Sequence, residues 1–157
     1  MATIEDYVSG KVCKQIAKSF AIFDAAGKSS LAGTRIGDIL SENVGRLAPR
    51  KLTIDQAIQL IEDARVCAVG PRVCLAVHTE APPTASVFLD ELAEGMVQAG
   101  KAKHATKAEA VENLKKYRKH PIIVTRVSGK HAEICPTWAK KCIYWNMEKH
   151  KLKCIQR

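Results

Sequence analysis

The sequence predicts an α+β fold, a mostly helical single domain with about three short strands and a C-terminal helix over a cysteine cluster. Apolar residues recur every three or four positions along most of the chain, and two segments are rich in β-branched residues. The 157 residues, 46% of them hydrophobic, are enough to form one core without disulfides. We expect N-terminal helices in residues 1–48 and a cysteine-containing α+β part in residues 50–157.

Two helices are predicted in the N-terminal part. The first runs from Ile4 to about Gly27, because its apolar residues share one face and a glycine can adopt the left-handed conformation that ends a helix. The second covers residues 35–47, although three glycines weaken its local helix propensity.

Two further helices are indicated by capping boxes. Thr53 is followed three residues later by Gln56, and Thr106 is followed at the same distance by Glu109. In a capping box the two side chains bond to each other's backbone N–H groups and fix the helix start. We expect one helix after each threonine, the second ending before Pro121.

The middle of the chain is predicted to hold one strand and one helix. Residues 66–77 are rich in valine and indicate a buried strand, bent or bulged at Gly70 and Pro71. Apolar residues at helical spacing then predict a helix over residues 87–100.

The C-terminal part is predicted to contain a hairpin and a last helix. Residues 122–127 and 131–134 have strand patterns and are joined by a short polar turn around Gly129. Pro136 suits the first turn of a helix, which would extend through Tyr144.

The charge distribution restricts the partners. Lysines and arginines number 25 against 16 acidic residues, a formal net charge of +9, which favours nucleic acid, an acidic protein or an anionic membrane surface. No apolar run approaches the roughly 18 residues that span a bilayer. Acidic Glu5 and Asp6 stand where a signal peptide would be positively charged, so we expect a cytoplasmic protein.

The six cysteines are the main candidates for chemistry. In an intracellular protein, thiols and metal ligands are favoured over disulfides. Cys135, Cys142 and Cys154 group near the C-terminus, and a fourth ligand would come from another cysteine or a histidine. Cys13 and Cys67 lie in apolar segments and are interpreted as core residues.

More than half the chain resembles a family of cysteine-rich, ferredoxin-like proteins associated with iron–sulfur clusters in anaerobic bacteria and archaea. The order of elements is similar, and the matching segments are Ala68 to Cys74, Glu80 to Pro82, Gly100 to Lys103 and Glu133 to Cys135. The cysteine set is thinner than the family's. Arg72, Phe88 and Pro136 stand where further cysteines would be.

The resemblance implies an iron–sulfur or other thiolate-bound metal protein that acts in electron transfer or cofactor assembly, with an acidic redox or assembly protein as partner. We expect the ligands to be Cys74, Cys135, Cys142 and Cys154. Neighbouring cations would offset the charge of their thiolates and could contact anions. These cations are Lys140, Lys141 and Lys153.

Two alternatives remain open from the sequence. The chain could be a zinc-stabilised regulator that uses the same cysteines. It could also be a basic nucleic-acid-binding module that contacts phosphates with residues 140–157, the cysteines being structural. The sequence does not decide whether the protein is an enzyme, but it lacks the Gly-x-Ser-x-Gly and His-Glu-x-x-His motifs of common hydrolases.

Overall fold

The computed structural model describes residues 2–157, which form an antiparallel sheet of six strands with seven α-helices around it. The strands are β1 Arg50–Leu52, β2 Cys67–Pro71, β3 Ala85–Leu89, β4 Lys103–Ala105, β5 Ile122–Val127 and β6 Lys130–Pro136. The helices are α1 Ile4–Val8, α2 Lys11–Ala26, α3 Arg35–Gly45, α4 Ile54–Asp63, α5 Asp90–Gln98, α6 Lys107–Lys116 and α7 Ile143–Lys149. Two short 3-10 turns cover Val73–Ala76 and Ala139–Lys141.

The strands lie side by side in the order β1-β5-β6-β3-β2-β4, and each neighbouring pair is antiparallel. The C-terminal segment protects the β1 edge. The Lys51 N–H donates to the carbonyl of Gln156 at 2.8 Å, and the Gln156 N–H donates to the carbonyl of Pro49 at 2.9 Å. These bonds satisfy backbone groups that an edge strand would otherwise expose.

Both faces of the sheet are buried. On one face, Phe88 of β3 packs in a core with residues of α1, α2, α3, α5 and α7. On the other face, Val87 and Leu89 pack in a separate core with Ile61 of α4 and Leu114 of α6. Because successive residues of a strand point to opposite faces, β3 contributes to both cores.

The prediction of about three short strands is wrong, because the described residues form six strands. The fold is nonetheless α+β. The predicted helix over residues 87–100 is a strand followed by a helix, β3 and α5. Strands β1 and β4 have three residues each, too few to show an alternating pattern.

Three boundaries also differ from the prediction. The N-terminal helix is broken at Gly10, whose φ of 83° is left-handed. The segment 66–77 is not one bent strand, since β2 ends at Pro71 and a 3-10 turn follows. Pro136 ends β6 instead of opening a helix.

Several local predictions are confirmed. Thr53 and Thr106 both form capping boxes, with Gln56 and Glu109 as their partners. Gly27 caps α2 with a positive φ of 61°. The C-terminal hairpin is present as β5 and β6. No helix in residues 2–157 is long and apolar enough to span a membrane.

Gly70 and Gly45 give a matched test of this packing. A Cβ at Gly70 would lie 2.5 Å from the carbonyl oxygen of Lys101, whereas one at Gly45, in the last turn of α3, would meet nothing within 4 Å. We expect Gly70→Ala to lower the free energy of unfolding by about 1–3 kcal/mol. Gly45→Ala should raise it by about 0.5–1 kcal/mol. Urea unfolding measures both, and equal effects of the two substitutions would contradict the close approach at Gly70.

Candidate metal centre

A small cavity of about 30 Å³ lies between the sheet and the helices that cover its α2 face. Three of the four predicted ligands line it, Cys74, Cys135 and Cys142. The other polar groups at its wall include Arg72 and Glu133. A water molecule needs about 10–15 Å³ of such space, so the cavity has room for one or two bodies of that size.

Three different elements bring these cysteines together. Cys74 lies on the 3-10 turn that follows β2, Cys135 lies near the end of β6, and Cys142 immediately precedes α7. They are separated by at least six residues in sequence. Their convergence therefore depends on the sheet, which places the end of β2 and the end of β6 on either side of β3.

A buried carboxyl group lies beside the thiols. Glu133 is 6% exposed and shares one face of β6 with Cys135. The Tyr7 hydroxyl donates to its Oε1 at 2.9 Å, and the Ser86 hydroxyl donates to its Oε2 at 2.8 Å. Burial is the largest influence on this group and raises the pKa of Glu133 above its ordinary value, although both hydrogen bonds oppose the rise.

Arg72 supplies a buried positive charge at the same cavity. The residue is 3% exposed, and its Nη2 donates to the carbonyl of Pro82 at 3.0 Å. Its Nε has no hydrogen-bond partner within residues 2–157. A buried cationic donor without a partner is costly, so this wall of the cavity is complementary to an electron-rich group.

Burial keeps the three thiols protonated. It raises the pKa of Cys142 to about 11 and raises the pKa values of Cys74 and Cys135 well above the ordinary value. The charge of Arg72 opposes the rise at each of them. Since the thiolate is the nucleophilic form, these cysteines are poor nucleophiles at neutral pH unless a metal displaces their protons.

The other cysteines lie outside the cavity. Cys154 was expected to be a ligand, but its Sγ lies 3.6 Å from the carbonyl oxygen of Tyr144 and does not border the cavity. Cys13 is half-buried, with its Sγ 3.7 Å from the carbonyl oxygen of Val73. Cys67 belongs to the core on the opposite face of the sheet. All six cysteines are free thiols.

The three predicted lysines do not border the cavity either. The Nζ of Lys140 lies 5.8 Å from the centre of the Trp138 ring, and that of Lys141 lies 5.9 Å from the centre of the Phe20 ring. Lys153 is exposed in the C-terminal segment. The cation that lies beside the thiols is Arg72, which the sequence marked only as a missing cysteine.

The donor atoms are not arranged for a metal as they stand. In residues 2–157, no group of three or more His, Cys, Asp or Glu side chains is positioned to hold one. No family model, curated protein or solved structure matches the chain.

Sequence reasoning missed Tyr7, Arg72 and Glu133. The alternation of Glu133 and Cys135 with apolar residues in β6 places the carboxyl and the thiol on one face, and this signal could have identified Glu133. Arg72 lies two residues before Cys74, a spacing that also suggests proximity. Tyr7 is 126 residues from Glu133 in sequence, so only the tertiary structure reveals their contact.

The raised pKa of Glu133 predicts a pH-dependent stability. The folded-state pKa of Glu133 is higher than its unfolded value, near 4.5. The stabilisation that Glu133 gives to the folded state is therefore fully present below pH 4.5 and is lost as the pH rises through the folded-state pKa. Over that interval the slope is at most about 1.4 kcal/mol per pH unit. The Glu133→Gln variant should lack this fall in the free energy of unfolding.

Urea unfolding between about pH 4.5 and pH 7.5 measures the effect, with exposed Glu112→Gln as the control. The control should follow the wild type at every pH. If the free energies of unfolding of the wild type and Glu133→Gln changed in parallel with pH, the pKa of Glu133 would be the same in the folded and unfolded states.

Proposed function

We propose that this protein binds one soft metal ion through the thiolates of Cys74, Cys135 and Cys142. The observation that carries the proposal is their shared position at one small cavity, although they come from three separate elements. A buried cation with an unpartnered nitrogen borders the same cavity, as a site that gathers thiolates requires.

The size of the cavity favours a single ion. An iron–sulfur cluster contains several iron and sulfide ions and requires more space than about 30 Å³. A mononuclear site requires only that the sulfurs approach the metal to about 2.3 Å. We therefore favour Zn²⁺, which has no redox chemistry and imposes no geometry of its own.

Ligation requires the thiols to turn toward a common centre. Each cysteine positions its sulfur by one torsion, χ1, which moves between staggered wells without displacing the backbone. With three protein ligands, a zinc ion keeps a fourth position for another group, the arrangement of many catalytic sites.

Charge balance supports this ligand set. Three thiolates and one divalent ion carry a net charge of −1, which the positive charge of Arg72 offsets. Burial also raises the pKa of Glu133, which opposes the build-up of further negative charge beside the thiolates. A neutral assembly is the arrangement that a buried site tolerates best.

The biological role depends on the metal. Zinc fits a structural or regulatory protein, whereas iron would fit the electron transfer or cofactor assembly that the resemblance implies. That role stays a prediction, as does an acidic protein partner. Metal and sulfide analysis of the anaerobically purified protein distinguishes the two.

Removal of a ligand should abolish tight binding. Replacing a group that merely orients a metal ligand costs about 10–100-fold in affinity, so Cys74→Ser, Cys135→Ser and Cys142→Ser should each cost more. Titration with Co²⁺ reports ligation directly, through the intense near-ultraviolet absorption of cobalt–thiolate bonds. Competition with Zn²⁺ then gives the zinc affinity.

Cys67→Ser and Cys154→Ser are the controls, because neither cysteine borders the cavity. Both should bind Co²⁺ like the wild type, and a loss at Cys154→Ser would restore the four-ligand set. Thermal unfolding of each metal-free variant confirms that it folds. A folded wild type that shows no cobalt–thiolate absorption would overturn the proposal.

Metal affinity should also rise steeply with pH. Three protonated thiols release three protons when they bind the metal, so affinity should increase by up to about 1,000-fold per pH unit near neutrality. Arg72→Met removes the compensating charge and should weaken binding by about tenfold or more, while Arg72→Lys retains most of it. Equal affinities for the two Arg72 variants would show that its charge has no role.

A further inference from the structure

A second feature lies on the opposite face of the sheet, a groove of about 760 Å³. It is bordered by β1, the start of α4 and the segment between α6 and β5. Its lining includes the cationic residues Lys51, Lys115, Arg118 and Lys119. We infer that this basic groove, which is separate from the metal centre, binds the backbone of single-stranded nucleic acid.

The positive charge of the groove is not neutralised by the protein. None of its four lysine and arginine side chains forms an ion pair with an acidic group of residues 2–157. Asp55 is the one acidic residue among the described residues that line the groove. Such a concentration of one sign of charge attracts a polyanion.

The C-terminal edge, from which phosphate contacts were predicted, is a weaker candidate. Arg157 forms an ion pair with Glu148 at 2.9 Å. None of the four cations of the basic groove, in contrast, forms an ion pair within residues 2–157, and all four line one concave surface.

Two aromatic rings that lie beside groove residues favour nucleic acid over an acidic protein. The Lys51 Nζ lies 6.0 Å from the centre of the half-buried Trp145 ring. The Tyr117 ring lies edge-on to His120, with 6.3 Å between ring centres. Bases of a single strand stack on such rings while their phosphates contact neighbouring cations. An acidic peptide has no group that requires them.

The test uses a fluorescently labelled oligothymidylate, about 12 nucleotides long. A triple variant, Lys115→Ala with Arg118→Ala and Lys119→Ala, reduces the net charge from +9 to +6. We expect it to bind at least about tenfold more weakly at low salt. The slope of log affinity against log salt concentration should be smaller in magnitude by about 2, because three phosphate contacts are lost and each contributes about 0.7 on a single strand.

The control triple variant, Lys14→Ala with Lys18→Ala and Lys103→Ala, removes the same charge at exposed positions outside the groove. It should lose less than about threefold in affinity and keep most of its salt dependence. A third variant, Tyr117→Leu, should weaken binding by about fivefold or more without changing the salt slope, because stacking involves no counterion.

Three outcomes would overturn the inference. The first is an absence of oligothymidylate binding by the folded wild type at low salt. The second is an equal loss of affinity in both triple variants, which would show that net charge alone drives binding. The third is displacement of the oligonucleotide by polyglutamate at equal charge concentration, which would assign the groove to acidic proteins.

Discussion

The burial of the sheet on both faces is the constraint on which the rest of the structure depends. Strand β3, at the centre, directs Phe88 into one core and Val87 into the other. Both helical layers are therefore needed, and side chains on the α2 face cannot reach water easily. Any polar group there has to be satisfied locally, since an unpaired buried polar group costs about 1–3 kcal/mol. This requirement explains why the hydroxyls of Tyr7 and Ser86 both donate to the carboxyl of Glu133.

The same constraint shapes the chemistry at the thiols. Burial raises their pKa values and leaves the metal-free cavity as a set of neutral groups beside Arg72. Metal binding would exchange three protons for a divalent ion, so the cavity passes from three neutral thiols to a thiolate complex whose excess charge the arginine offsets. A site of this kind is stable without its metal because its ligands are protonated.

Local signals in the sequence predicted the parts of the fold that depend on local chemistry. The capping boxes at Thr53 and Thr106 fix helix starts through bonds three residues apart, so no tertiary information is needed. Strand β3 was missed because apolar residues that continue from a strand into α5 mimic helical spacing. For the site, sequence reasoning named the three cysteines that line the cavity, but it also named Cys154 and overlooked Arg72. Which of these residues border the cavity depends on the order of the strands in the sheet, and no local sequence pattern encodes that order.

Thr137 joins the cavity to the basic groove. It borders the cavity, and its Oγ1 donates to the carbonyl of Pro121, at the groove wall, at 2.8 Å. The indole N–H of Trp145, which lies near the groove cation Lys51, donates to the same Oγ1 at 2.9 Å. Contact alone is not coupling, because each ligand must discriminate between two arrangements of the connecting element. Metal ligation by Cys135 and Cys142, on either side of Thr137 in sequence, would act on that element, so the two sites share a structural element through which either could influence the other.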